Sequence, residues 1–149
     1  MIKKRIIIVL FFLTSCGYQP IFLGKNTNEL IFNDIKLIGE KDINRKLISI
    51  SGFKKDKQNY QYSKLKINSK KNIIETSKNS KGQAETFKMT IEIKLIIENK
   101  GEEVNSKSFV ESFSYNNIEN KFDLASYENE VENILINKIF EKLIIYLSL

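Results

Sequence analysis

Histidine and tryptophan are absent from this 149-residue chain, and cysteine and proline each occur once. Without imidazole, the commonest general base and a common transition-metal ligand are missing. One cysteine cannot form an intrachain disulfide or a cysteine-rich metal site. The six glycines are scattered at positions 17, 24, 39, 52, 82 and 101, so no glycine-rich phosphate loop is present. These absences argue against an enzyme and predict no metal and no dissociable cofactor.

Paired carboxylates are the remaining candidates for acid–base chemistry, at Glu102 with Glu103 and at Glu128 with Glu130. Charges in a solvated loop or at a helix start give the same pattern. We favour that second interpretation, so the sequence predicts no catalytic residues.

The positive charge is modest and consists mostly of lysine. The chain has 24 basic and 18 acidic residues. Lys3, Lys4 and Arg5 belong to the first five residues, and without them 21 basic residues face 18 acidic ones. Arg45 is then the only arginine. Because nucleic-acid-binding surfaces concentrate arginine and aromatic side chains, we expect no nucleic-acid partner.

The first 15 residues read as a secretory signal. A basic start is followed by the apolar run Ile6 to Leu13, which is far shorter than the roughly 20 residues of a membrane-spanning helix. Cys16 follows Leu13, Thr14 and Ser15, an order typical of a bacterial lipobox. Residues 1–15 are therefore predicted to be removed, and Cys16 to carry a diacylglycerol and an acyl chain. The alternative is a buried or free cysteine thiol.

Residues 16–28 are predicted to form a lipidated tether, because Pro20 blocks a helix and residues 24–28 are polar and rich in turn formers. Residues 29–149 are predicted to form one domain. Alternating apolar residues predict a strand from Glu29 to Ile38 with Ile31, Ile35 and Leu37 on its buried side. A helix from Asp42 to Ile50 should follow.

The middle of the chain is predicted to form long strands. Lys54, Lys55 and Lys57 are predicted to lie in a basic loop before a strand over 59–77. A change in the parity of its apolar residues predicts a bulge near Ser63 or Lys64. Residues 77–82 have the composition of a hairpin turn.

Strict alternation over 87–98 predicts a strand with one face on a core, and a short turn should pair it with a strand over 104–116. Helical spacing then runs from Leu124 to Tyr146, with Asp123 or Ser126 as the N-cap. The helix end, residues 139–149, is apolar on most sides, so it lies either in the core or at an interface.

The element order β-α-β-β-β-α predicts an α+β, two-layer sandwich. A strand–helix–strand start places its two strands parallel, and the hairpins add antiparallel strands. We therefore expect two helices on one face of a mixed four-stranded sheet. The other face should stay polar or meet a larger partner.

The chain resembles the LPS-assembly lipoproteins of the LptE family. The most specific match is the segment Cys16-Gly17-Tyr18-Gln19-Pro20-Ile21-Phe22, which is similar to the family's Cys-Gly-aromatic-x-Pro start. Weaker matches are Ala84-Glu85-Thr86-Phe87, Gly101, Ser114-Tyr115-Asn116 and Leu124-Ala125-Ser126-Tyr127-Glu128. The element order matches over nearly the whole chain after Cys16.

The resemblance implies an outer-membrane lipoprotein whose lipid anchor faces the periplasm. It implies a non-catalytic plug within an LptD-type β-barrel that helps to insert lipopolysaccharide into the outer leaflet. The lysines we expect to contact lipopolysaccharide are Lys54, Lys55, Lys57, Lys78 and Lys81, although ordinary solvated lysines would look the same. The alternative is a free-standing lipoprotein that binds a lipid or a cell-wall polymer.

Overall fold

A computed structural model describes residues 30–60 and 62–147. The predicted signal, the lipobox cysteine Cys16 and the tether over 16–28 lie outside these residues. The described chain contains five strands and two helices: β1 (Ile31–Gly39), α1 (Lys41–Ser51), β2 (Lys54–Lys55), β3 (Tyr62–Lys78), β4 (Ala84–Asn99), β5 (Glu102–Asn116) and α2 (Lys121–Leu147).

The strands form one mixed sheet in the order β2-β1-β3-β4-β5. β1 is parallel to β2 and β3, whereas β3, β4 and β5 are successively antiparallel. The α+β class and the two-helix layout are thus confirmed, but the sheet has five strands where four were expected. The difference is Lys54–Lys55, which pairs with the start of β1 where a loop was predicted.

The side chains of β3 and β4 alternate between a helix-covered face and an open face. Odd-numbered residues such as Ile67, Ile93 and Leu95 are buried, and they form one core with Leu47 of α1 and Leu135 of α2. Even-numbered residues point away from the helices, because successive side chains of a strand lie on opposite faces. The sequence alternation over 87–98 therefore identified the core face correctly.

β1 departs from the predicted alternation. Phe32, expected on the polar side, is fully buried between Phe53 and Tyr62, whereas Leu37 is 46% exposed. In β3 the core-facing side chain is even-numbered at Tyr62 and odd-numbered from Leu65 onward, which is the expected change of parity. The register shifts between β3 and β4 lie instead at the far end of β3, between Glu75 and Lys78.

The start of α2 differs from the prediction because Asn120 is the capping residue. Its side-chain oxygen accepts a hydrogen bond of 2.9 Å from the main-chain N–H of Phe122. This satisfies one N–H of the first turn that has no partner within the helix. Near the other end of α2, Leu143 is fully buried while Ile145 is 54% exposed. Within residues 30–60 and 62–147, no helix is long and apolar enough to cross a membrane.

Candidate functional site: an uncovered basic sheet face

One face of the sheet carries no helix of the described chain, and this face is polar and basic. Its side chains come from alternate residues of β1 starting at Asp34, and from the even-numbered positions of β3 from Lys64 onward and of β4 and β5. Near the start of β5 the register shifts, so Glu103 lies opposite Glu98 on this face. Leaving out the end of β3 beyond Ile74, six lysines share the face with four carboxylates, which gives a positive excess. The lysines are Lys36, Lys64, Lys66, Lys70, Lys88 and Lys94, and the acids are Asp34, Glu92, Glu98 and Glu103.

The lysines on this face have unequal neighbours. Lys66 contacts the Glu98 carboxylate, and the register places Lys70 opposite Glu92. Lys94 instead lies between Asn68 and Ser108, so neither of its directly opposite neighbours is charged. The same holds for Lys88, which lies between Ile74 and Ser114. Their positive charge is therefore not neutralised by the residues directly opposite them.

The structure separates the five lysines that the sequence suggested as one set of contacts. Lys54 and Lys55 lie beside the start of β1, and Lys55 pairs with Asp34 at 2.5 Å. Lys57 follows them in an exposed loop. The start of β3 lies on the other side of β1 from these lysines, because Phe32 of β1 aligns with Tyr62 of β3.

The other two lysines lie at the opposite end of β3. Lys78 ends that strand and is 3.4 Å from Glu75, and Lys81 is in the turn before β4. β3 has 17 residues, which at about 3.3 Å per residue span about 50 Å. The two groups of lysines therefore cannot form one binding site within a single copy of the chain.

A second polar feature is a cleft of about 320 Å³ between α1 and α2. Glu132 of α2 lies at its base and is 5% exposed. Its two carboxylate oxygens accept hydrogen bonds of 2.7 Å from Lys46 of α1 and from Lys71 of β3. Lys46 also donates to Asn129 at 2.7 Å. One buried carboxylate thus connects both helices to the sheet.

The electrostatics of Glu132 follow from this geometry. Burial raises its pKa, but the hydrogen bonds from Lys46 and Lys71 outweigh burial and hold the pKa below the ordinary value. The same hydrogen bond to Glu132 raises the pKa of Lys71. Burial, together with donation to Glu128, raises the pKa of the Tyr115 hydroxyl. All three groups therefore keep their usual charge state near neutral pH.

Sequence reasoning missed the lysines of the open face and the role of Glu132. The signal for the lysines was present in β4, where Lys88 and Lys94 occupy even positions between buried odd ones. No comparable signal existed for Glu132, because Lys46 and Lys71 lie 86 and 61 residues away from it in the sequence. Only the packing of α1 and α2 on one face brings the three together.

No protein-family model matches the chain, and no curated protein has a significantly similar sequence. Solved structures do match its fold. The uncharacterized lipoprotein B from Nitrosomonas europaea superposes with a TM-score of 0.56 at 12% identity, over 78% of this chain and 82% of that one. The rare lipoprotein B from Shewanella oneidensis gives 0.51 at 10% identity, over 74% and 93% of the two chains.

This chain has the fold of these lipoproteins. At 10–12% identity the likeness concerns the backbone arrangement alone, and it covers most of each matched structure. The fold expected from the sequence, with both helices on one face of a mixed sheet, is thus one that solved lipoproteins adopt.

Proposed function

We propose that this chain is an outer-membrane lipoprotein, anchored on the periplasmic side through acylated Cys16. Its partner in this proposal is a lipopolysaccharide-translocating β-barrel of the LptD type. It acts as the plug and assembly partner of that barrel, without catalysis, and aids the insertion of lipopolysaccharide into the outer leaflet.

The observation that carries the proposal is the open basic face of the sheet. β3, β4 and β5 are 17, 16 and 15 residues long, so this face is extended, and no helix of the described chain covers it. Its polar side chains suit the interior of a large membrane barrel, which is lined by polar residues. The lipoprotein fold and the lipobox at Cys16 support the same role.

Lysines on this face also fit the chemistry of lipopolysaccharide, whose phosphates and carboxylates accept charge-assisted hydrogen bonds. Lys88 and Lys94 are the best placed, because no carboxylate lies directly opposite either of them. Lys78 and Lys81, at the hairpin end of the sheet, remain a separate candidate contact. Lys54, Lys55 and Lys57 would have to bind a different part of the ligand, about 50 Å away.

A free-standing lipoprotein that binds a lipid or a cell-wall polymer is the second hypothesis. A lipid carrier needs an apolar cavity between helices and sheet. In the described residues that space is filled by packed core side chains, and the cleft between α1 and α2 is lined largely by charged groups. The packing therefore favours the barrel partner over a lipid carrier.

The decisive experiment is detergent extraction of the tagged full-length protein, followed by mass spectrometry of what co-purifies. Recovery of an outer-membrane β-barrel at one to one is expected. The double variant Lys88→Glu with Lys94→Glu should reduce that recovery. A matched double variant on the helix layer, Lys41→Glu with Lys121→Glu, should not. A lone acylated monomer would refute the barrel partnership and support the carrier.

Two further variants test the anchor and the hairpin lysines. Cys16→Ala should give an unacylated protein that fails to reach the outer membrane, and acylation of that variant would refute the anchor. Reversing the charge at Lys78 and Lys81 should weaken lipopolysaccharide binding at low salt. Unchanged binding would assign these two lysines to the solvated surface.

A further inference from the structure

β5 is an edge strand of unusual length. Its ladder partner in the described sheet is β4, and its other side has no strand beside it. β5 runs for 15 residues without a proline. Edge strands are normally short or interrupted, because their outward N–H and C=O groups are a template for another strand. The ladder of β5 with β4 shifts register at Val104, and from Asn105 to Asn116 the edge is regular. An edge of this length is therefore suited to strand addition.

We propose that β5 pairs antiparallel with β5 of a second copy of this chain, around a two-fold axis at Phe109. The two sheets then join into one continuous sheet. Residues equally distant from Phe109 face each other, so Lys107 of each copy lies opposite Glu111 of the other. This inference does not depend on the barrel partnership, and it concerns copies outside a barrel, because a barrel lumen that encloses one chain leaves no space for a second copy beside β5.

The charges and the length of β5 together select this register. An axis at Asn105 would also pair Lys107 with Glu103, but only residues 102–108 would then be paired, across the register shift at Val104. Directly opposite charges of unlike sign stabilise a strand pair, and like charges destabilise it. An axis at Lys107 would place the two Lys107 side chains together and Glu103 opposite Glu111. An axis at Glu111 would place two carboxylates together. With the axis at Phe109 no like charges are opposite, and two Lys107–Glu111 pairs form.

Glu111 can accept a second lysine. Its side chain is 16% exposed and contacts Lys142 of α2. A carboxylate has two oxygens with about four lone-pair sites, so one ammonium group does not saturate it. Glu132 of the same chain shows the arrangement, with one lysine on each oxygen. Lys107 of the second copy would complete the same pattern around Glu111.

The pairing would also cover apolar side chains that are exposed along this edge. Val110 and Phe113 of β5 are 54% and 38% exposed. Tyr146 packs on Phe109 with ring centroids 5.8 Å apart, so this end of α2 lies beside the proposed axis. Ile145, 54% exposed, lies about 140° around α2 from Glu132, on the flank away from α1. The flanks of the two α2 helices would then face each other.

A charge-swap experiment on the full-length, acylated protein tests the pairing. Two copies with different tags are co-expressed without a barrel partner, extracted in detergent and captured through one tag. Wild-type copies should co-purify. When both copies carry Lys107→Glu, or both carry Glu111→Lys, like charges lie opposite each other at two places. Each of these combinations should co-purify at least about tenfold less than the wild type. Lys107→Glu paired with Glu111→Lys should restore capture, because every pair is again unlike in sign.

The control for this experiment is Lys41→Glu, the same charge change at the exposed start of α1, which should leave capture unchanged. Absence of capture between wild-type copies would overturn the proposal. So would capture of either self-paired variant at the wild-type level, or failure of the mixed pair when circular dichroism shows both chains folded.

Cysteine cross-linking provides a second test that needs no charge change. Ser108 of one copy lies opposite Val110 of the other, and directly opposite Cβ atoms in a strand pair are about 4.5–5.5 Å apart. Oxidising Ser108→Cys with Val110→Cys should therefore give a covalent dimer. Ser106→Cys with Val110→Cys, offset by two residues on the same face, should give several-fold less. Equal yields from both pairs, or yields at the level of the parent chain with Cys16, would refute the register.

Discussion

Replacing Glu132 by Gln tests whether the buried carboxylate holds the two layers together. The substitution keeps the shape of the side chain but removes the charge from between Lys46 and Lys71. Each charge-assisted hydrogen bond contributes about 1.5–3 kcal/mol, and breaking a fully buried ion pair costs about 3–5 kcal/mol. The lysine side chains are 31% and 36% exposed, so they can regain water. We therefore expect the free energy of unfolding to fall by about 2–3 kcal/mol.

Urea unfolding followed by circular dichroism measures this change. The matched control is Glu130→Gln, the same substitution two residues earlier on the exposed side of α2, where an effect within about 0.5 kcal/mol is expected. Equal effects of the two substitutions would refute the role assigned to Glu132.

A triple replacement distinguishes the stabilisation by the ion pairs from the free-energy cost of leaving a buried charge unpaired. Lys46→Met, Glu132→Leu and Lys71→Met together remove the buried carboxylate and both of its lysine partners, whereas Asp42, Arg45 and Glu128 remain in the cleft. Buried ion pairs can often be replaced by apolar residues without loss of stability. We expect the triple variant to unfold at a higher urea concentration than Glu132→Gln alone. A lower midpoint would mean that the ion pairs stabilise the fold beyond compensating their own desolvation.

Three further predictions concern pH, a glycine and a helix cap. The pKa of Glu132 is lowered from 4.5, so the stability that its carboxylate contributes is complete above that value and lost as pH falls through the lowered pKa. The free energy of unfolding of Glu132→Gln should therefore fall less steeply with pH below 4.5 than that of the wild type. Gly39→Ala should cost well over 2 kcal/mol, because φ is +87° and the added Cβ would lie 1.9 Å from the main-chain oxygen of Ser69. Gly82→Ala, at φ +78° with nothing within 4 Å, should cost only about 1 kcal/mol in the same urea assay. Asn120→Ala should cost about 0.5–2 kcal/mol and lower the thermal midpoint, since the N–H of Phe122 loses its acceptor; an unchanged midpoint would contradict the assignment of the cap.

Much of the fold was predictable because apolar and polar residues alternate regularly along the long strands. In β4, Met89, Ile91, Ile93, Leu95 and Ile97 are all buried on one face, as a period of two requires. The hairpin turn before β4 was predictable from its composition, and Gly52 ends α1 in the left-handed conformation expected of a C-terminal glycine. These features depend on residues close in sequence, so a local pattern specifies them.

The errors have tertiary causes. Phe32 is buried because its ring packs against Phe53 and Tyr62, which come from other segments. Lys54–Lys55 is a strand because the start of β1 offers it a parallel edge, and two lysines have no strand pattern of their own. The exposure of Leu37 follows from its position toward the end of β1, beyond the pairing with β2. None of these partners is visible in a window of adjacent residues.

The sequence by itself determined the alternation of β4, the amphipathic helices and the lipobox pattern at Cys16, because each is a pattern of neighbouring residues. Tertiary structure alone decided which lysines share a face, and that Glu132 joins Lys46 of α1 to Lys71 of β3. It also decided that β5 lies at an edge of the described sheet. The physical reason is that sheet order and helix packing bring together charges more than 60 residues apart, and burial then determines which of them must be paired.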